Sequence, residues 1–69
     1  MINPVIEALN EGYGLTGLTS NDIIYRIMKI RNVNYKDGKE MFNKNKDDKS
    51  ISEQRYSGIV GEYYRYKLK

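Results

Sequence analysis

The chain has 69 residues, with 12 Lys and Arg against 9 Asp and Glu, and neither cysteine nor histidine. That length accommodates one domain, residues 1–69, and a chain so short buries only about 60% of the surface its unfolded form exposes. Without cysteine there are no disulfides or thiolate metal sites, and without histidine the commonest metal ligand and the usual general base are gone. There is little volume for a substrate pocket. The composition therefore points to a non-enzymatic protein with no metal and no cofactor.

The net charge of +3 is unevenly spread. Residues 1–33 balance, residues 34–50 carry one excess lysine, and the rest of the excess lies in residues 51–69, with Arg55, Arg65, Lys67 and Lys69 facing Glu53 and Glu62. The start holds no leader-like basic-then-apolar run and no span long enough for a membrane, so a cytoplasmic protein with no membrane contact is expected. The abundance of Ile, Lys, Tyr and Asn, all with AT-rich codons, fits a low-GC bacterium or one of its phages.

The first predicted helix covers about residues 4–11. Asn3 is a good N-cap, Pro4 suits the first helical position, Val5, Ile6, Ala8 and Leu9 form an apolar stripe, and Gly12 offers a left-handed stop. Gly12, Gly14 and Gly17 then mark a connection. As a phosphate-binding loop the trio is misplaced, because the dinucleotide fingerprint follows a strand and this one follows a helix. The second helix, about 20–32, has Thr19 as N-cap, Asp22 in a capping-box position and Leu18 with Ile23 as a staple. Ile23, Ile24, Ile27, Met28 and Ile30 give it a core stripe.

Tyr35 to Asn45 reads as a weaker helix carrying Tyr35, Met41 and Phe42, loosened at Gly38 by about 1 kcal/mol. Residues 43–50 contain no apolar side chain and read as a solvated loop. Asn43, Asn45 and Asp47 alternate as in a calcium loop, but Asp48 and Gln54 stand where glycine and glutamate are needed. Beyond it, Ser50 with Glu53, or Ser52, caps a last helix in which Tyr56, Ile59, Val60, Tyr63 and Tyr66 share one face and Gly58, Gly61 and Arg65 the other. A strand is the competing reading of the end, because Tyr64, Tyr66 and Leu68 alternate with Tyr63, Arg65 and Lys67.

The expected fold is thus a small all-α domain of three or four helices, with the C-terminal segment as the place where β structure could intrude. Its central stripe is Ile23, Ile24, Ile27 and Met28, covered by Val5, Ile6 and Leu9, by Met41 and Phe42, and by Tyr56, Ile59, Val60 and Tyr63. The expected function is a non-enzymatic protein-binding module, a small phage- or mobile-element-type regulator or inhibitor that occupies a partner protein or self-associates as a homo-oligomer. Its partner-binding residues would be Tyr63, Tyr64, Arg65, Tyr66 and Lys67, with Gly58 and Gly61 leaving a flat patch for a second backbone. The alternative is a small basic DNA- or RNA-binding protein. It would use residues 20–32 and 36–46 as a helix-turn-helix offering Lys36, Lys39, Asn43 and Lys44, or the aromatic and basic tail with Arg65, Lys67 and Lys69.

Overall fold

The computed structural model describes residues 2–69. The order of elements is α1 (Pro4–Leu9), β1 (Leu18–Thr19), α2 (Ser20–Arg31), α3 (Tyr35–Asn45), β2 (Ile51–Gly58) and β3 (Gly61–Leu68). This is an α+β domain. The all-α expectation is overturned by a three-stranded antiparallel sheet in the order β1-β3-β2.

Local chemistry explains the helices. The Asn3 side chain accepts from the N–H groups of Val5 and Ile6, Thr19 Oγ1 from Asp22, and Asn34 Oδ1 from Asp37, so each helix has a capped N-terminus. Asn32 ends α2 in the left-handed conformation with φ 55°, which asparagine tolerates better than most side-chain-bearing residues. Helix α1 stops at Leu9, two residues short of the predicted end. Arg26 reaches back from α2 to satisfy the Ala8 carbonyl at 3.0 Å and also bonds the carbonyl of Gly12.

The expected final helix is instead a hairpin. Strands β2 and β3 pair without interruption from Ile51↔Leu68 to Gly58↔Gly61, turning through Ile59 and Val60, with Gly61 at φ 121°. The apolar content of the segment explains the choice. As a helix it would carry two interior glycines, at about 1 kcal/mol each. As a strand, β3 alternates so that Tyr66 and Leu68 face the helices while Arg65 and Lys67 face away. The solvated loop is shorter than expected, because α3 runs to Asn45.

The core holds Val5, Ala8, Leu9, Ile23, Ile24, Ile27 and Phe42 from the helices, closed by Ile51 and Tyr66 from the hairpin. Ile59 and Val60, expected inside, are fully exposed at the hairpin tip, and Tyr56 and Tyr63 lie on the outer face of the sheet. Tyr66, expected on a partner surface, is only 3% exposed. Its ring meets Phe42 edge-on at 5.3 Å and its hydroxyl donates to Glu53 Oε2 at 2.8 Å.

Candidate functional site

Two features expose chemistry: the outer face of α3 and the projecting half of the hairpin. Helices α2 and α3 are joined by the three residues Asn32, Val33 and Asn34, a connection of helix-turn-helix length. The turn needs no glycine because Asn32 takes the left-handed position itself. Gly38 is used elsewhere, at the contact between the two helices. A Cβ built there would lie 3.1 Å from Met28 Cγ and 3.4 Å from Ile24 Cγ2, so the glycine lets the α3 backbone settle against α2. Phe42, one turn on, completes this anchored face.

The ends of α3 are fixed as well. At its start, Tyr35 packs against Tyr25 with ring centroids 5.9 Å apart and donates a hydrogen bond to Asn21 Oδ1 at 3.2 Å. At its end, Asn3 Nδ2 donates to the Asn45 carbonyl at 3.0 Å, and Asn45 bonds back to Met41. Beyond the helix, the Ser50 backbone N–H holds the Asp48 carboxyl below its ordinary pKa, tightening the turn that leads into β2. With Gly38 and Phe42 inward, the period of the helix turns Lys36, Lys39, Glu40 and Asn43 outward. Asp37 and Lys44 flank them, and all six are exposed.

The second feature is the hairpin. Strand β1 pairs only with Tyr66 and Arg65, so beyond those residues β2 and β3 project as a two-stranded ribbon. On the helix-facing side Arg55 stands opposite Tyr64 and forms a loose ion pair with Glu62, N to O 3.6 Å, with both side chains more than half exposed. Such a pair contributes little to stability. On the outer side Tyr56 and Tyr63 are a directly opposed pair, stacked at 5.6 Å and 17°. Burial, then the hydrogen bond to Glu53, pushes the Tyr66 phenol well above its ordinary pKa.

The residues expected to bind a partner are dispersed by this geometry. Tyr63 and Tyr64 are exposed on opposite sides of the ribbon, Tyr66 is interior, and Gly58 and Gly61 face each other across the strands at its tip. Arg65 is committed to the fold, donating to the carbonyls of Thr16 at 3.2 Å and Gly17 at 3.0 Å. Lys67 lies beside it on the outer face and Lys69 beyond the strand end. The alternative set is therefore split: Lys36, Lys39, Asn43 and Lys44 are together on α3, whereas Arg65 and Lys67 look the other way across the sheet. Sequence reasoning missed Arg55, Tyr25, Asn21 and the exposed Ile59 and Val60. The Gly58-x-x-Gly61 bracket was the available signal for a turn there.

Among the described residues no group of three or more carboxylates could hold a metal ion, no pocket is enclosed, and no helix is long and apolar enough to cross a membrane. Comparison with family models, with curated proteins and with solved structures gives no match.

Proposed function

We propose that this protein binds duplex DNA, with the outer face of α3 in the major groove and the β2–β3 hairpin against the flanking backbone. The observation that carries this reading is the pairing of a braced α2–turn–α3 unit with a polar, lysine- and asparagine-bearing outer face. A short strand before α2 and a hairpin after α3 give the element order of a winged helix-turn-helix, which is an analogy of fold. The chemistry of the face supports it independently. Lysine reads guanine O6 and N7 in the major groove, and asparagine reads adenine N6 and N7. Lys36, Lys39 and Lys44 would meet phosphates or guanine edges, Asn43 an adenine edge, and Arg55 and Tyr64 the adjoining backbone. Asp37 and Glu40 on the same helix oppose non-specific adhesion to phosphate, so sequence preference rests on base contacts while the lysines supply the salt-dependent part of the affinity. A bacterial or phage protein of this kind would act in the cytoplasm, where it would meet DNA.

The test is fluorescence anisotropy with duplexes of about 20 base pairs, selected from a random pool, across a salt series. Log affinity should fall with log salt, and Lys36→Ala/Lys39→Ala/Lys44→Ala should flatten the slope by about 2 to 3, at about 0.9 per phosphate contact. Asn43→Ala should relax base preference and leave the slope alone. No retained duplex at about 50 mM salt, or a slope indifferent to the triple substitution, overturns the proposal.

A second reading is favoured by the hairpin tip, where Ile59 and Val60 are fully exposed beside Tyr63 and Tyr64. Adjacent apolar and tyrosine side chains suit a protein partner, which a regulator of this size could occupy. Ile59→Ser/Val60→Ser, which removes the apolar surface without adding charge near phosphate, should abolish capture of such a partner and leave DNA affinity within about twofold, a split that a shared surface would not give.

A further inference from the structure

We infer that the outer edge of β2 pairs with the same edge of a second copy of this chain, antiparallel about a two-fold axis through Gln54, so that Glu53 of each copy faces Arg55 of the other. This goes beyond DNA binding and does not depend on it.

The edge is open and unpaired among the described residues. Strand β2 is terminal in the order β1-β3-β2, runs for eight residues, and keeps its register with β3 without a bulge. It contains no proline and no lysine, two of the devices that blunt an edge, and its only charges, Glu53 and Arg55, are opposite in sign, so they repel a second copy only in the registers that set like against like. The ladder also states which residues offer their backbone outward. Lys69 N–H bonds the Ser50 carbonyl at 2.9 Å, and bonded pairs alternate along an antiparallel ladder. Hence Ser52, Gln54 and Tyr56 turn their N–H and C=O groups toward β3, while Glu53, Arg55 and Ser57 turn theirs outward. The outward N–H of Ile51 is already used, by the Asp48 carbonyl at 3.0 Å.

Only registers that oppose outward-facing residues can make a regular ladder. Of the central ones, pairing Glu53 with the second copy's Glu53 brings like charges together at the axis, and so does pairing Arg55 with its own counterpart. The register between them, centred on Gln54, places opposite charges face to face twice by symmetry. Cross-strand pairs of opposite charge stabilise a ladder and like pairs destabilise it, so charge selects this register. Both side chains are exposed and available. Glu53 commits one carboxylate oxygen to Tyr66 and leaves the other free among the described residues, and the Arg55 contact to Glu62 is loose. The contact is a strand-addition interface, in which backbone bonds supply affinity and side chains supply register.

The experiment combines sedimentation equilibrium with amide exchange by NMR, folding being followed by circular dichroism. The wild type should associate as its concentration rises to about 1 mM, the weak end of measurable affinities. At high concentration the amides of Glu53 and Arg55 should become protected, whereas those of Ser52, Gln54 and Tyr56 are protected at every concentration. Arg55→Glu alone and Glu53→Lys alone should each weaken association at least about tenfold, because each sets like charges opposite twice. Mixing the two variants should restore it. In the heterodimer the lysine introduced at position 53 of one copy faces the glutamate introduced at position 55 of the other, and the native Glu53 and Arg55 face each other across the second contact. A wild type monomeric at about 1 mM, protection that ignores concentration, or a mixture no more associated than its components overturns the inference. If either variant fails to fold, the wild-type measurements decide it.

Discussion

Replacing Tyr66 by phenylalanine tests the junction between hairpin and helices, and the structure gives both the size of the effect and its pH dependence. The ring would stay against Phe42, so the change removes only the hydroxyl and its 2.8 Å bond to Glu53. A bond to a charged group contributes about 1.5–3 kcal/mol, but the exposed Glu53 carboxylate regains water when the phenol goes, leaving a loss of about 1 kcal/mol at pH 7. For a domain of this size that lowers Tm by about 4–8 °C. The phenol ionises at its ordinary pKa of 10.0 in the unfolded chain and higher in the fold, where burial and then the Glu53 hydrogen bond oppose its charge. Its contribution is therefore complete below that pH and is lost as the pH rises above it, by up to about 1.4 kcal/mol per pH unit. The phenylalanine variant lacks this loss, so its deficit should close and reverse at about pH 11. Urea unfolding of both proteins at a series of pH values isolates the difference, because the other tyrosines and the lysines are common to both. A deficit that stays constant, or widens, above about pH 10 would refute the argument.

Gly17→Ala should cost about 3 kcal/mol or unfold the chain, since φ is +83° and the added Cβ would lie 2.5 Å from the Tyr66 carbonyl oxygen, which chemical denaturation would show. Asn32→Ala should cost about 1 kcal/mol through the left-handed cap of α2, and Asn32→Gly should recover it in the same unfolding assay. Ile59→Ser/Val60→Ser should leave stability within about 0.5 kcal/mol, because both side chains are already in water. Ile27→Ala, by contrast, empties a fully buried site and should cost about 2–5 kcal/mol by the same measurement.

The helices were legible because their ends are written in side chains. Asn3 with Pro4 and Thr19 with Asp22 announce the two starts, and α3 falls on the predicted Tyr35–Asn45. The hairpin was obscured by a coincidence of spacing. Tyr56 and Tyr63 are seven residues apart, which is two helical turns, but across a two-residue turn the same separation makes them a directly opposed pair. Ser50 and Glu53 imitate a capping box for the same stretch. Ile59 and Val60 reinforced the error, since two β-branched residues between glycines carry none of the asparagine or aspartate that usually identifies a tight turn. The alternation of Tyr64, Tyr66 and Leu68 against Arg65 and Lys67 was the correct signal, and the competing strand reading rested on it.

The candidate site was legible in composition and illegible in arrangement. Lys36, Lys39, Asn43 and Lys44 could be placed on one helix from their spacing, but nothing in the spacing says what holds that helix. Gly38 looked like a weakness, and as an isolated residue it is one, by about 1 kcal/mol against alanine. Its position facing Ile24 and Met28 reverses the inference, because a missing side chain is what allows the two helix backbones to approach. The polar face of α3 is therefore positioned from behind, by a contact in which none of its own residues takes part. The same logic separates the two halves of the hairpin. Its base is tied to the helices through Ile51, Tyr66 and Leu68, and Arg65 is tied to the loop before β1, while beyond Arg65 the ladder consists, among the described residues, of β2 and β3 alone. Side chains on that outer ribbon can be exchanged at little cost to folding, so they are where partner preference can change while the domain that presents them stays intact.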